Sequence, residues 1–67
     1  MAIARVSEII SASDKRFDDA IRSGIEHANE TLENIEGAWI ESQKLELRDG
    51  KIAEYRVVMK LSFVLNS

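Results

Sequence analysis

From Ile52 to Leu65 the chain alternates, with Ala53, Tyr55, Val57, Met59, Leu61, Phe63 and Leu65 on the odd positions and Glu54, Arg56, Lys60 and Ser62 among the even ones. Period two over a run rich in Val, Phe and Tyr predicts a strand with one face on a core. At ~3.3 Å per residue this strand would reach roughly 46 Å, far beyond the usual length of about 5–6 residues.

Upstream, Ile3–Ser11 is a second strand candidate, with Ala4, Val6, Glu8 and Ile10 on one face and Ile3, Arg5, Ser7 and Ile9 on the other. The period then changes. From Asp14 to about Asn34 the apolar positions are Phe17, Ala20, Ile21, Gly24, Ile25, Ala28, Leu32 and Ile35, the spacing of a helix with one apolar stripe. Ser13 is the expected N-cap, because its hydroxyl can accept from N–H groups of the next turn. Asp14, Asp18 and Asp19 suit the positive end of the helix dipole. Gly24 lies inside the stripe, where it costs up to ~1 kcal/mol against alanine, so a strand is expected to approach closely there.

Gly37 is the expected helix breaker. Ala38–Arg48 reads as a third strand, with Trp39, Leu45 and Leu47 of one parity and Ile40 of the other. Arg48-Asp49-Gly50-Lys51 reads as a tight hairpin, since Asp-Gly tolerates the positive φ such turns require. The order is β-α-β-β in a single domain, residues 1–67, of the α+β class: a three-stranded antiparallel sheet packed on one helix.

A helix of about 20 residues spans roughly 30 Å and cannot cover the apolar face of the long strand. With Ile40, Val58 and Val64 placed on the opposite face, more apolar surface remains than a small domain usually exposes. Chains of this length rarely stabilise a core unaided. There is no cysteine for a disulfide and only one histidine for a Cys/His zinc cage. Several copies are therefore expected to associate through the overhanging hairpin and the outward sheet face.

Nine basic against twelve acidic residues give a net charge of −3, which argues against a nucleic-acid partner. No apolar run reaches the ~18 residues of a membrane span, and Met1–Ser13 lacks the apolar block of a signal peptide. A soluble, cytoplasmic protein is expected. The glycines at 24, 37 and 50 are too scattered for a phosphate loop. His27 has no serine, cysteine or second histidine visibly paired with it, and reads as an exposed or interfacial side chain rather than a catalytic base. No enzyme signature is present.

The β-α-β-β order, with Arg5-Val6-Ser7-Glu8-Ile9, the Ser13 helix start, Ala20-Ile21 and Gly24, Thr31-Leu32, the Asp49-Gly50 hairpin and Glu54-Tyr55-Arg56-Val57-Val58 running on to Phe63, resembles the dodecins. The resemblance covers nearly the whole chain. It implies a hollow homododecamer of tetrahedral symmetry that holds flavins, riboflavin or flavin mononucleotide (FMN), between subunits. Flavin-binding dodecins stack a tryptophan of the second strand on the isoalloxazine ring and bond the ring edge with a glutamine of the third. Those positions align with Gly37 and Arg56, so the resemblance implies altered or weak flavin affinity.

The ligand-site candidates are Gly37, Trp39 and Arg56. Trp39 follows Gly37 by two positions at the same parity, displaced by ~6.6 Å; it would stack on an aromatic ligand, on its symmetry mate, or simply pack. Arg56 would contact an anion, or pair with a carboxylate such as Glu41 or Glu54. Some dodecin-like proteins are associated with calcium, a hard cation that needs several oxygen ligands. Glu8, Asp14, Asp18, Asp19, Glu26, Glu30 and Glu33 could supply them across subunits, or form a solvated face. The function expected is a non-enzymatic shell that binds or stores a small ligand, with a structural or calcium-binding assembly lacking flavin as the alternative.

Overall fold

The alternating run is the middle strand of the sheet. In this computed structural model, which describes residues 3–65, the elements are β1 (Ile3–Ser13), α1 (Phe17–Ala28), β2 (Ile35–Arg48) and β3 (Lys51–Leu65). Residues 1–2 and 66–67 of the expected 1–67 domain lie outside that range. β1 and β2 both pair antiparallel with β3, giving the order β1-β3-β2. The expected α+β arrangement, three antiparallel strands and one helix, is what forms.

Val57, Met59 and Leu61 of β3 are fully buried against Ala20 and Ala28 of α1. Ile9, Phe17, Ile21, Ile25, Leu32 and Ile35 close the cluster. The Phe17 ring meets Tyr55 edge-on at 5.2 Å, a favoured aromatic geometry. α1 packs on β1 and β3 and leaves β2 largely without helix cover.

The helix is shorter than its apolar period suggests, 12 residues rather than about 20. At its start, the Ser13 hydroxyl accepts from the N–H groups of Lys15 (2.9 Å) and Arg16 (3.4 Å) and donates to the Asp19 carboxylate (2.7 Å). Ser13 thus ends β1 and builds the turn before the helix. The capping position itself is the extended Arg16, which makes no side-chain capping bond. At the other end, the N–H groups of Thr31 and Leu32 close on the Ala28 carbonyl. Leu32 keeps its place in the apolar stripe but reaches the core from the connection.

The reversal into β2 falls on Asn34, whose φ is 59°, a conformation Asn tolerates better than most residues. Gly37, expected to break the helix, lies inside β2. The Asp49-Gly50 turn forms as read, with φ of 52° and 75° and Arg48 opposite Lys51.

Three bulges alter the parity reading. Glu36 and Glu41 are extra residues on β2, and Ala53 is extra on β3. Because residues directly opposite share a face, Trp39 (opposite Lys60) points away from the helix, while Ile40 (opposite Met59) and Leu45 (opposite Tyr55) lie on the helix side. Trp39 is therefore separated from Leu45 and Leu47, and Ile40 joins them, contrary to the alternation. Val58 and Val64 do lie on the outer face. The helix-side apolar residues of the β2–β3 arm, Ile40, Leu45, Leu47 and Ile52, are exposed by 42–63 %.

A Cβ added at Gly24 would stand 2.5 Å from Met59 Cε and 2.9 Å from Ser11 Cβ. Gly24→Ala should therefore lose roughly 1–3 kcal/mol of stability by overpacking, although alanine favours the helix by ~1 kcal/mol. Urea unfolding checks this, and an unchanged or raised midpoint would contradict the close approach.

Candidate functional site

The sheet face turned away from α1 carries all three candidate residues. Its rows follow from the register: Gly37 opposite Ser62, Trp39 opposite Lys60 and Glu8 beyond it, Ser42 opposite Val58 and Ile10, Lys44 opposite Arg56 and Ala12, and Glu46 opposite Glu54. Gly37 and Ser62 leave a low shelf beside the Trp39 indole, which is 57 % exposed. The Ser62 hydroxyl donates to the Gly37 carbonyl at 3.4 Å. A Cβ at residue 37 would meet only that hydroxyl, at 3.2 Å.

The face is laced with ion pairs. Lys60 Nζ lies 3.0 Å from Glu41 Oε1, because the bulge that displaces Glu41 from the ladder brings its carboxylate back over the neighbouring strand. Arg56 donates to Glu54 Oε1 from Nη2 (2.7 Å) and Nε (3.2 Å), and its Nη1 is 3.9 Å from Glu46. Lys44 Nζ reaches the same Glu46 oxygen at 3.2 Å. Of the two carboxylates expected for Arg56, Glu54 takes it and Glu41 takes Lys60 instead. The hydrogen bond to Glu41 raises the Lys60 pKa, helped by the charges of Glu41 and Glu8. The hydrogen bond to Glu54 raises that of Arg56, helped by the charges of Glu54 and Glu46.

Gly37 and Trp39 are neighbours on this face, but Arg56 is not brought to them within one chain. It lies four residues along β3 from Lys60, about 13 Å at the strand rise. Lys60, Ser62 and Glu41, absent from the sequence-based candidates, are the side chains that flank the indole and its shelf. The even positions of the alternating run already placed Lys60 and Ser62 on the outer face. The bulge at Glu41, which decides what faces Lys60, had no signal in the pattern.

The remaining candidates lie elsewhere. His27 is exposed, with Nδ1 3.8 Å from Glu30. Among the described residues, no three His, Cys, Asp or Glu side chains converge as a metal-ion site would require, so the carboxylates proposed for calcium are not gathered within one chain. A groove of about 570 Å³ runs between β1 and α1 past Ile9, Ile10, Gly24, His27, Ala28 and Leu32. None of the three candidate residues lines it.

Comparison with known proteins places this geometry. The family model described as Dodecin matches residues 3–66. Among solved structures, the dodecin from Streptomyces davaonensis is similar at 36 % identity, with 98 % of this chain and 97 % of that one covered and a TM-score of 0.94. The dodecin from Streptomyces coelicolor is similar at 27 %, with 98 % and 94 % covered and a TM-score of 0.94. An arginine-to-alanine mutant of T. thermophilus dodecin shares the fold at 19 % identity, with 100 % and 98 % covered and the same TM-score. A search of curated protein sequences returned no match.

The Lys60–Glu41 pair sets a sign for alkaline stability. A lysine whose pKa is raised in the folded state adds stability that is whole below the ordinary lysine range and is lost as the pH rises through the raised value. Unfolding midpoints should thus fall as the pH climbs through that window. Glu41→Gln should flatten the fall, which thermal melts from neutral to strongly alkaline pH would show.

Proposed function

The chain belongs to the dodecin family, and from that premise we propose that it is a non-enzymatic, cytoplasmic homododecamer that binds or stores a small aromatic ligand of the flavin type between subunits. The observation that carries this reading is the half-exposed Trp39 beside the low Gly37–Ser62 shelf on the outer sheet face. An indole in that position offers a planar ligand a stacking partner and leaves room next to it. Arg56, on the same face but about 13 Å away along its own strand, would take part through a second copy.

Self-assembly is supported by the arm. Ile40, Leu45, Leu47 and Ile52 lie on the helix side of the sheet, where this chain's helix does not reach them, and removing apolar side chains from water is favourable by ~25 cal/mol per Å². Val6 and Ile10, each more than half exposed, extend apolar surface over the outer face. A net charge of −3 disfavours nucleic acid. No helix among the described residues is long and apolar enough to cross a membrane.

The family's stacking tryptophan falls on Gly37 and its ring-edge glutamine on Arg56, which supports a flavin affinity below that of dodecins carrying both residues. A Cβ at residue 37, the first atom of any side chain placed there, needs only that the Ser62 hydroxyl yield by a few tenths of an ångström.

Two measurements test the proposal. Riboflavin should quench the single tryptophan, Trp39, at micromolar concentrations, and no quenching would end the flavin reading; in Gly37→Trp/Arg56→Gln, affinity should rise by about tenfold or more, the equivalent of ~1.4 kcal/mol. By light scattering the native protein should run as twelve chains, while Leu45→Glu/Leu47→Glu should run as smaller species; a native monomer would refute assembly.

A further inference from the structure

Resting on the proposed ligand site beside Trp39, we infer that this site selects a planar ring ligand whose bound part carries no anionic group, so that an unphosphorylated flavin is preferred to its phosphate ester. The argument lies in the charges of the outer face. Over the rows between Gly37–Ser62 and Glu46–Glu54, the carboxylates Glu8, Glu41, Glu46 and Glu54 outnumber the cations Lys44, Arg56 and Lys60. None of these cations is free. Lys60 is bonded to Glu41 at 3.0 Å and stands directly opposite Glu8 on its other side. Arg56 is held by Glu54 at 2.7 Å, and Lys44 by Glu46 at 3.2 Å.

A phosphate arriving at Trp39 therefore meets a lysine that is already neutralised, with a second carboxylate across from it. To bind, it must displace Glu41 or lie among like charges. Lys51, next to the hairpin turn, is nine residues from Lys60 along β3, about 30 Å at the strand rise, and its neighbour across the turn, Arg48, is equally remote. An uncharged ring makes no such demand. It stacks on the indole over the Gly37–Ser62 shelf and leaves each ion pair closed.

Riboflavin and FMN share ring and side chain and differ by one phosphate, so the pair isolates this term. Each is titrated into the wild-type assembly at fixed low ionic strength, with Trp39 quenching as the readout. The dissociation constant for FMN should exceed that for riboflavin by about fivefold or more, the equivalent of one ion pair of ~1 kcal/mol lost. The gap should narrow in Glu41→Gln, which frees Lys60, and with added salt, which screens the repulsion. Circular dichroism and light scattering establish that the variant keeps its fold and assembly; Glu54→Gln, acting on Arg56, is a second variant should Glu41→Gln misfold. Equal or tighter binding of FMN by the wild type would overturn the inference, as would a gap that neither variant changes. Failure of both flavins to quench would refute the underlying site, an outcome distinct from equal binding of the two.

Discussion

The contact of Gly24 with Met59 and Ser11 fixes the rest of the architecture. With no side chain at residue 24, the helix descends on the β1–β3 half of the sheet until the Met59 methyl and the Ser11 Cβ would touch an alanine there. Glycine within a helix costs up to ~1 kcal/mol. Full burial of Val57, Met59 and Leu61 beneath the helix returns roughly 1.5–3 kcal/mol for each. A helix seated that closely over two strands cannot also cover the third. The apolar helix-side face of β2 and the far half of the β2–β3 arm are left uncovered by the same contact that makes the core.

The outer face has a different logic. Beyond Trp39, Val6, Ile10 and two partly buried valines, its middle is a field of side-chain ion pairs in which Lys44, Arg56 and Lys60 each have a carboxylate partner. Such pairs add little stability one at a time when exposed. In the ligand site proposed above their effect is on selection: a patterned surface with its cations satisfied rejects groups that would compete for them. The bulge at Glu41 belongs to this logic, since it turns a residue of the edge strand inward over the sheet. Bulges often re-aim side chains beside functional sites.

Most of the fold was legible because alternation and helical period are direct records of burial. The β3 run from Val57 to Leu61, the stripe through Ala20, Gly24 and Ala28, and the Asp49-Gly50 turn all stand where their patterns put them. The length of the helix was not legible. Leu32 and Ile35 continue its period because they join the same core, one from a loop and the other from a strand. The faces of β2 were not legible either. A bulge inserts one residue and inverts everything after it, and nothing about Glu36 or Glu41 as residue types announces the insertion. Alternation put Arg56 away from the core and Gly37 and Trp39 at one parity, but that all three share a face, and what surrounds them, depends on register with β3, which only pairing reveals.

The pairing of β1 with β3 sets Ile3 directly across from Leu65, so the two ends of the described segment lie side by side, at the opposite extremity from the Asp49-Gly50 turn. Adjacent strands lie about 4.8 Å apart, a gap that a few added residues would bridge. The segment from Ile3 to Leu65 is thus nearly a closed loop: linked between those two residues and opened at the turn, it could keep every rung of its ladder.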